Sequence, residues 1–502
     1  MADVLLTHSY FLSFDPKEEK GMMPYPPLGT ITAAAFVRSH GLSVALHDVM
    51  FSRAESDILS AIARHRPAVV VIYDDNFNYL TKMCLSRMRE AAVRMATSAK
   101  GAGCTVLVFS SDATDHTETY LRNGVDYVLC GEAEQTLGEL CDLLLGRSAG
   151  TMSDIKGIAY LEGTRVTRTP PRPVMKNLDT LPMAAWDLID VERYRSAWMG
   201  RHGYFSLNVS TTRGCPFHCN WCAKPLYGQV YNSRSPGNVV GEMLHLKRTF
   251  HPDHLWITDD IFGLTPGWVA GFSRLVRERD AVIPFKCLSR ADLLLEGTTI
   301  DELRSAGCSS VWMGAESGSQ RVLDAMEKGT RTEQIRRATA LLRQRSIGVG
   351  FFLQFGYPGE LWEDIELTLG LVHDCMPDEI GISVSYPLPG TSFYERVKSD
   401  LAVKQNWIDS QDLDLMFAGE YPPDFYRALH RYVHKRFCIW RGFDHTRRTL
   451  TGAGPGIRRT LRSAASAVYH APSLPFMRRK LRALRERPHP IHHDPVPITA
   501  GP

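Results

Sequence analysis

The sequence predicts an α/β protein with two sheet-bearing domains and a helical C-terminal region, and three observations carry that prediction. Short apolar strands alternate with helix-length segments through residues 1–146, and the alternation returns in six units over residues 201–403. Between the two runs stand Pro170, Pro171 and Pro173, which continue neither a helix nor a sheet. Strands alternating with helices argue for parallel sheets covered by helices. At 502 residues the chain is also too long for one hydrophobic core.

In the first run the strand candidates are residues 4–7, 43–47, 68–73, 105–109 and 126–129. Helix candidates lie at 29–40, 56–64, 79–100 and 118–123. This order predicts a doubly wound sheet, which binds ligands beyond the carboxyl ends of its strands. Those ends carry Asp74-Asp-Asn76, Ser110-Ser-Asp112 and Cys130-Gly-Glu132. Each is either a ligand loop or a set of ordinary turn residues.

Residues 147–200 read as a linker. Within it, residues 158–161 and 164–168 flank Glu162-Gly163 as a small β-hairpin. The second domain, 201–403, has strand candidates at 206–211, 254–258, 283–288, 309–313, 348–354 and 379–385. Six strand-then-helix units predict a partial (β/α)6 barrel, with its chemistry in the loops after the strands. Residues 404–487 are expected to be helical and basic, with Arg447-Arg448, Arg458-Arg459 and Arg478-Arg-Lys480 among few acids. Such a run is a solvated helical face or a surface for an acidic ligand, nucleic acid or membrane. The last stretch, 488–502, is rich in proline and histidine and is expected to be disordered, without a metal site at His489, His492 or His493.

Composition narrows the class. Hydrophobic residues are 44% and charged residues 23%, the balance of a globular protein. A net charge of +3 does not mark the whole molecule as a polyanion binder. The longest apolar runs, such as Val69-Val-Val-Ile-Tyr73, are too short to span a bilayer. The start, Met1-Ala-Asp-Val-Leu-Leu, lacks the pattern of a secretion signal, so a cytoplasmic location with reduced cysteines is expected.

The most informative segment is Thr212-Arg-Gly-Cys-Pro-Phe-His-Cys-Asn-Trp-Cys-Ala-Lys224. Cys215, Cys219 and Cys222 follow the spacing C-x3-C-x2-C in the loop after the barrel's first strand. Thiolates are the ligands that iron–sulfur clusters require. Three of them on one loop can hold a [4Fe–4S] cluster and leave its fourth iron for a small ligand. Zinc is the alternative, but it wants four closed ligands, and His218 lies directly before Cys219, where joint chelation is strained. Buried, inert cysteines are the bland reading.

The segment resembles the signature of the radical S-adenosylmethionine (SAM) superfamily, including the aromatic Trp221 before the third cysteine. Later pieces resemble that family's strand ends in order: Ile257-Thr-Asp-Asp-Ile-Phe262, Cys287-Leu-Ser-Arg290, Gly314-Ala-Glu-Ser-Gly318, Phe355-Gly-Tyr-Pro-Gly-Glu360 and Tyr386-Pro-Leu-Pro-Gly-Thr391. The resemblance implies a SAM site at Trp221, Asp259, Asp260, Ser289, Arg290 and Glu316. Helix capping or a salt bridge is the other reading of Asp259 and Asp260. The first domain has Pro26-Pro-Leu-Gly29 before its first helix and Gly131-Glu-Ala-Glu134 after its fifth strand. It resembles the Rossmann-like cobalamin-binding domain of one radical SAM subgroup. That implies cofactor contacts at Pro27, Gly29, Asp74, Ser110, Ser111, Gly131 and Glu132. The D-x-H-x-x-G motif of many corrinoid proteins is absent, so cobalt would have no histidine from that motif.

The resemblance implies that a reduced cluster cleaves SAM and that the resulting radical takes hydrogen from an unactivated carbon of a small molecule. With methylcobalamin the product is C-methylated; without methyl transfer the outcome is a ring closure or oxidation, as in the anaerobic magnesium-protoporphyrin monomethyl ester cyclase. Electrons would come from a reductant such as flavodoxin or ferredoxin. A non-catalytic iron–sulfur or corrinoid redox sensor is the reading from another class. A methylthiotransferase fits less well, because Cys84, Cys104, Cys130 and Cys141 are scattered and the tail shows no RNA-binding pattern, which also makes nucleic acid an unexpected partner.

Overall fold

The computed structural model describes residues 1–75, 77, 85–222, 226–401, 406–410, 412–452, 454 and 456–487. The expected tail at 488–502, with its three histidines, lies outside these residues, as does Cys84. The chain divides into two compact units, one of residues 1–216, 224–287 and 406–412, the other of 217–223, 288–405 and 413–502.

The first unit opens with β1 (Val4–Thr7), β2 (Val44–His47), β3 (Val69–Tyr73), β4 (Thr105–Phe109) and β5 (Tyr127–Leu129). Two antiparallel strands follow, β6 (Ile158–Glu162) and β7 (Arg165–Arg168). The sheet order is β2–β1–β3–β4–β5–β6–β7, with every pair from β2 to β5 parallel. Its strands are apolar on both faces, as a sheet covered on both sides requires. Leu5, Val70, Ile72, Val106 and Val108 enter one core with the helices Asp57–His65 and Ser86–Gly101. Val4, Leu6, Val71, Leu107 and Phe109 enter a second core with Leu28–Ser39 and Glu134–Leu144. The sheet is therefore doubly wound, as expected. The linker hairpin pairs with β5 in register Val128↔Ala159 and lengthens this sheet.

The second run supplies β8 (Ser206–Val209), the short β9 (Thr212–Arg213) and β10 (Asn232–Ser233), β11 (His254–Ile257), β12 (Phe285–Ser289), β13 (Cys308–Glu316), β14 (Gly348–Phe355) and β15 (Glu379–Val384). The sheet order is β15–β14–β13–β12–β11–β8, parallel wherever a register is defined, with β9 and β10 forming a separate ribbon. This is the six-strand α/β pattern the sequence predicts. Chain order equals sheet order here, because each helix returns the chain beside the strand it left.

Late in the second unit lie the helices Pro423–Leu450, Ile457–His470 and Leu474–Arg485. Among the described residues no helix is long and apolar enough to cross a membrane.

Candidate active site

The approach to the cysteine loop is held in the first unit. After β8 the chain turns at Thr211, and Asp259, at the end of β11, captures that turn. Its carboxylate accepts from the Thr211 N–H at 2.6 Å, the Thr212 N–H at 3.0 Å and the Thr211 hydroxyl. Asp259 is 1% exposed, and burial pushes its carboxyl up to about 6 against the pull of these donors. β9 then pairs antiparallel with β10, which fixes Arg213. At Gly214 φ is +82°, and an added Cβ would lie 2.2 Å from the Val230 carbonyl oxygen. Only glycine fits both demands, and the next residue is the buried Cys215.

Arg213 is the centre of a buried ion cluster. Its guanidinium donates to Glu132 at 2.5 Å and to Glu134 at 2.6 and 3.1 Å. All three side chains are at most 5% exposed. Tyr227 and Phe77 present ring faces to the guanidinium at 5.3 and 5.7 Å. Burial raises the Glu132 carboxyl above its ordinary range, although Arg213 opposes the rise.

In the second unit Asn220 is pegged to the turn at 325–328. Asn220 donates its side-chain N–H to the Ala325 carbonyl at 2.8 Å, and its backbone N–H to Met326 at 3.1 Å. The Tyr357 hydroxyl donates to the Asn220 amide oxygen at 3.1 Å. Arg290 directly follows β12, and its guanidinium carbon lies 3.7 Å from the Phe217 ring centre. One of its nitrogens sits 3.9 Å from the Cys219 sulfur, and two others bind Asp292 at 3.0 and 2.9 Å.

The turn that holds Asn220 also delivers Lys328. This buried ammonium donates to Glu316 at 2.9 Å and lies 5.8 Å from the Trp221 ring centre. Burial alone would lower its pKa, but Glu316 and the Cys219 sulfur raise it above the ordinary lysine value. Glu316 ends β13 at φ +54°, next to an irregularity in the β13–β14 register. A non-glycine residue there carries backbone strain. At Gly314 an added Cβ would meet both Glu316 Oε1 and Lys328 Nζ at 2.6 Å. The glycine thus leaves room for the ion pair. Among the described residues the buried indole Nε1 of Trp221 has no hydrogen-bond partner.

Of the residues expected at a SAM site, Trp221 and Glu316 meet at Lys328, while Arg290 approaches Cys219. Ser289 is buried at the end of β12, and Asp260 is exposed. Asp259 holds the turn before the cysteines. The residues expected to contact cobalamin lie at the carboxyl ends of the first sheet and are tied to neighbours there. Pro27 precedes the helix Leu28–Ser39, and the Gly29 N–H donates to Asp75 at 2.9 Å. Asp74 accepts from the Ser9 N–H and hydroxyl at 2.7 and 3.0 Å, and burial pushes both Asp74 and Asp75 up to about 6. Ser110 caps the turn that begins at the buried Ser111, accepting from the Ala113 N–H at 2.9 Å. Gly131 lies between β5 and Glu132, which accepts from the Met175 N–H as well as from Arg213.

Among the described residues no three His, Cys, Asp or Glu side chains converge as a ready-made site for a single metal ion, and no cysteine forms a disulfide. The donor chemistry nevertheless suits an iron–sulfur cluster: three thiols within eight residues, one with a guanidinium and an ammonium beside it. Sequence reasoning missed Arg213, Glu134 and Lys328 as parts of the site. The acids of Gly131-Glu-Ala-Glu134 and the arginine of Thr212-Arg-Gly-Cys215 were the only signal.

A methyltransferase from Pyrococcus horikoshii, described by its name as uncharacterized, is 27% identical over 390 residues, covering 76% of this chain and 81% of its own. The anaerobic magnesium-protoporphyrin IX monomethyl ester cyclase of Synechocystis is 24% identical over 349 residues, covering 66% of this chain and 64% of its own. Among solved structures, the radical SAM methyltransferase TsrM from Kitasatospora setae, with cobalamin and a [4Fe–4S] cluster bound, shares the fold. Its TM-score is 0.65 at 20% identity, over 80% of this chain and 79% of that one. The radical SAM superfamily itself matches residues 209–372. That match starts at the last residue of β8 and runs past β14, so the stretch of this chain that is similar to the radical SAM superfamily takes in the cysteine loop and four later strand ends.

Proposed function

We propose that the protein is a cobalamin-dependent radical SAM enzyme that C-methylates an unactivated carbon of a small molecule. In this reading Cys215, Cys219 and Cys222 hold a [4Fe–4S] cluster, and a flavodoxin or ferredoxin supplies its electrons. The observation that carries it is the thiol triad itself, with Arg290 and Lys328 beside Cys219 to balance thiolate charge. When bound, the cluster and SAM supply reductive cleavage of the sulfonium and a hydrogen-abstracting radical, and methylcobalamin supplies the methyl group.

The chain's own residues bind and orient. Trp221, Ser289, Arg290 and Glu316 belong to SAM, with the Glu316–Lys328 pair setting the carboxylate's position. The loops at Pro27, Gly29, Asp74, Ser110, Ser111, Gly131 and Glu132 form the corrinoid platform. Because Asp74, Ser110 and Glu132 already hold internal hydrogen bonds, they shape those loops. The name and bound cofactors of the Kitasatospora enzyme support this reading, as does the name of the Pyrococcus relative. The likeness to the Synechocystis cyclase favours a second reading, a radical ring closure or oxidation at the same site.

Anaerobic reconstitution followed by iron, sulfide and corrinoid analysis tests the assignment, with SAM-cleavage products measured by mass spectrometry. The expected result is cluster-bound iron and stoichiometric corrinoid, and no cluster in the variant with all three cysteines replaced by alanine. Unchanged iron in that variant overturns the cluster assignment. A product heavier by one methylene supports methylation, and loss of hydrogen supports the cyclase-like reading.

A further inference from the structure

The C-terminal helices carry a surface that the chemistry above does not use. Residues 441–487 hold twelve Arg or Lys against two acids, a net +10 in a chain whose total is only +3. The same segment exposes Phe443, Leu450, Ile457, Leu461, Val468, Tyr469 and Phe476, each at least 64% accessible. Met1 aside, no other large apolar side chain among the described residues exceeds 54%. Exposed apolar groups and unbalanced positive charge therefore coincide.

The helix Ile457–His470 shows how they are arranged. Thr460, Ser463 and Ala467 are buried, and the Ser463 hydroxyl bonds His445 at 2.9 Å on the preceding helix. Ile457, Leu461 and Val468 fall within about 40° of one another around the axis, at 100° per residue. They form a stripe away from the buried face, while Arg458, Arg462 and Tyr469 occupy its flank. On the next helix Phe476 is exposed among Arg478, Arg479, Lys480 and Arg482. Among the described residues no carboxylate lies within ion-pair distance of Arg458, Arg459, Arg462, Arg478, Arg479 or Arg482.

An aliphatic stripe edged by arginines is the pattern of a helix that lies in a membrane interface: apolar groups enter the acyl boundary while guanidinium heads reach the phosphates. A second copy of this chain is a poor occupant, because it would set one +10 surface against another. We propose that residues 443–487 dock the protein onto an anionic lipid surface, without spanning it.

The test is co-sedimentation of the full-length, reconstituted protein with vesicles of equal parts phosphatidylcholine and phosphatidylglycerol, against vesicles of phosphatidylcholine alone. The protein should sediment with the anionic vesicles, stay soluble with the neutral ones, and be released by added salt as screening shortens the reach of its charges. I457S/L461S/V468S and R458Q/R459Q/R462Q should each weaken binding at least about tenfold. All six side chains are solvent-exposed, so circular dichroism and iron content should not change. Failure of the wild type to sediment with anionic vesicles overturns the proposal, and so does full binding by the serine variant. If vesicles are ignored while an acidic flavodoxin shifts the sedimentation of the wild type, the surface is a protein-docking one and the proposal is also overturned.

Discussion

A lysine buried beside a carboxylate is stable only while both charges are present, and Lys328 with Glu316 is such a pair. Lys328→Met leaves the carboxylate buried alone and should cost about 3–5 kcal/mol. The urea midpoint of the apoprotein should fall accordingly, and adding Glu316→Gln should recover much of the loss. Glu360 makes a different prediction. It is 1% exposed, and burial pushes its carboxyl up to about 8, even though the Gly356 N–H donates to it at 2.6 Å. Its folded value lies above its ordinary 4.5, so the folded chain retains a proton that the unfolded chain releases. The associated stability is complete below pH 4.5 and is lost as pH rises through about 8. Glu360→Gln keeps the site neutral at every pH. Its Tm should therefore decline less across that window than the wild-type Tm, as differential scanning fluorimetry would show.

Elements matter here through the turns that join them. Asp259 links the end of β11 to the first residues after β8, and Asp259→Ala leaves the Thr211 and Thr212 N–H groups buried without acceptors. A loss of about 2–4 kcal/mol is expected. Reconstituted iron per chain should fall with it, because the cysteine loop begins three residues beyond Thr212. Much at this scale was legible in the sequence. All six strands of the second sheet lie within a few residues of where the apolar runs place them, since their period and length are local properties. The expected helix at 118–123 is the short Thr117–Leu121, and the expected one at 79–100 is described from Ser86 onward. The addition of the hairpin to β5 was not legible. Tyr160 pairs with Tyr127 across a long stretch of chain, and no local pattern records such a partner. Lys328 escaped for the same reason: it follows a helix in no motif, and only the fold brings it to Glu316.

Across the whole chain, charge is distributed unevenly. The near-neutral total concealed both the cationic C-terminal segment and the buried cluster at Arg213, since a sum contains no positions. The cysteine motif was readable because its three thiols lie within eight residues. Arg213 was not, because Glu132 and Glu134 lie 81 and 79 residues earlier. Arg213→Met should leave two buried carboxylates facing each other and lower apoprotein stability by about 3–5 kcal/mol. Glu132→Gln combined with Glu134→Gln in that background should restore part of it, a non-additivity that a double-mutant cycle would measure.

The same guanidinium bears on how the protein can be cut and inherited. Residue 213 precedes Cys215 by two positions, yet its counter-charges come from the loop after β5 and the first residue of the helix Glu134–Leu144. A gene fragment beginning at Ser206 would encode Cys215, Cys219 and Cys222 and would still strand a cation that no described residue of the fragment is seen to neutralise. Recombination that exchanged the N-terminal sheet for another would have to bring matching acids with it. The two segments are therefore expected to descend as a unit.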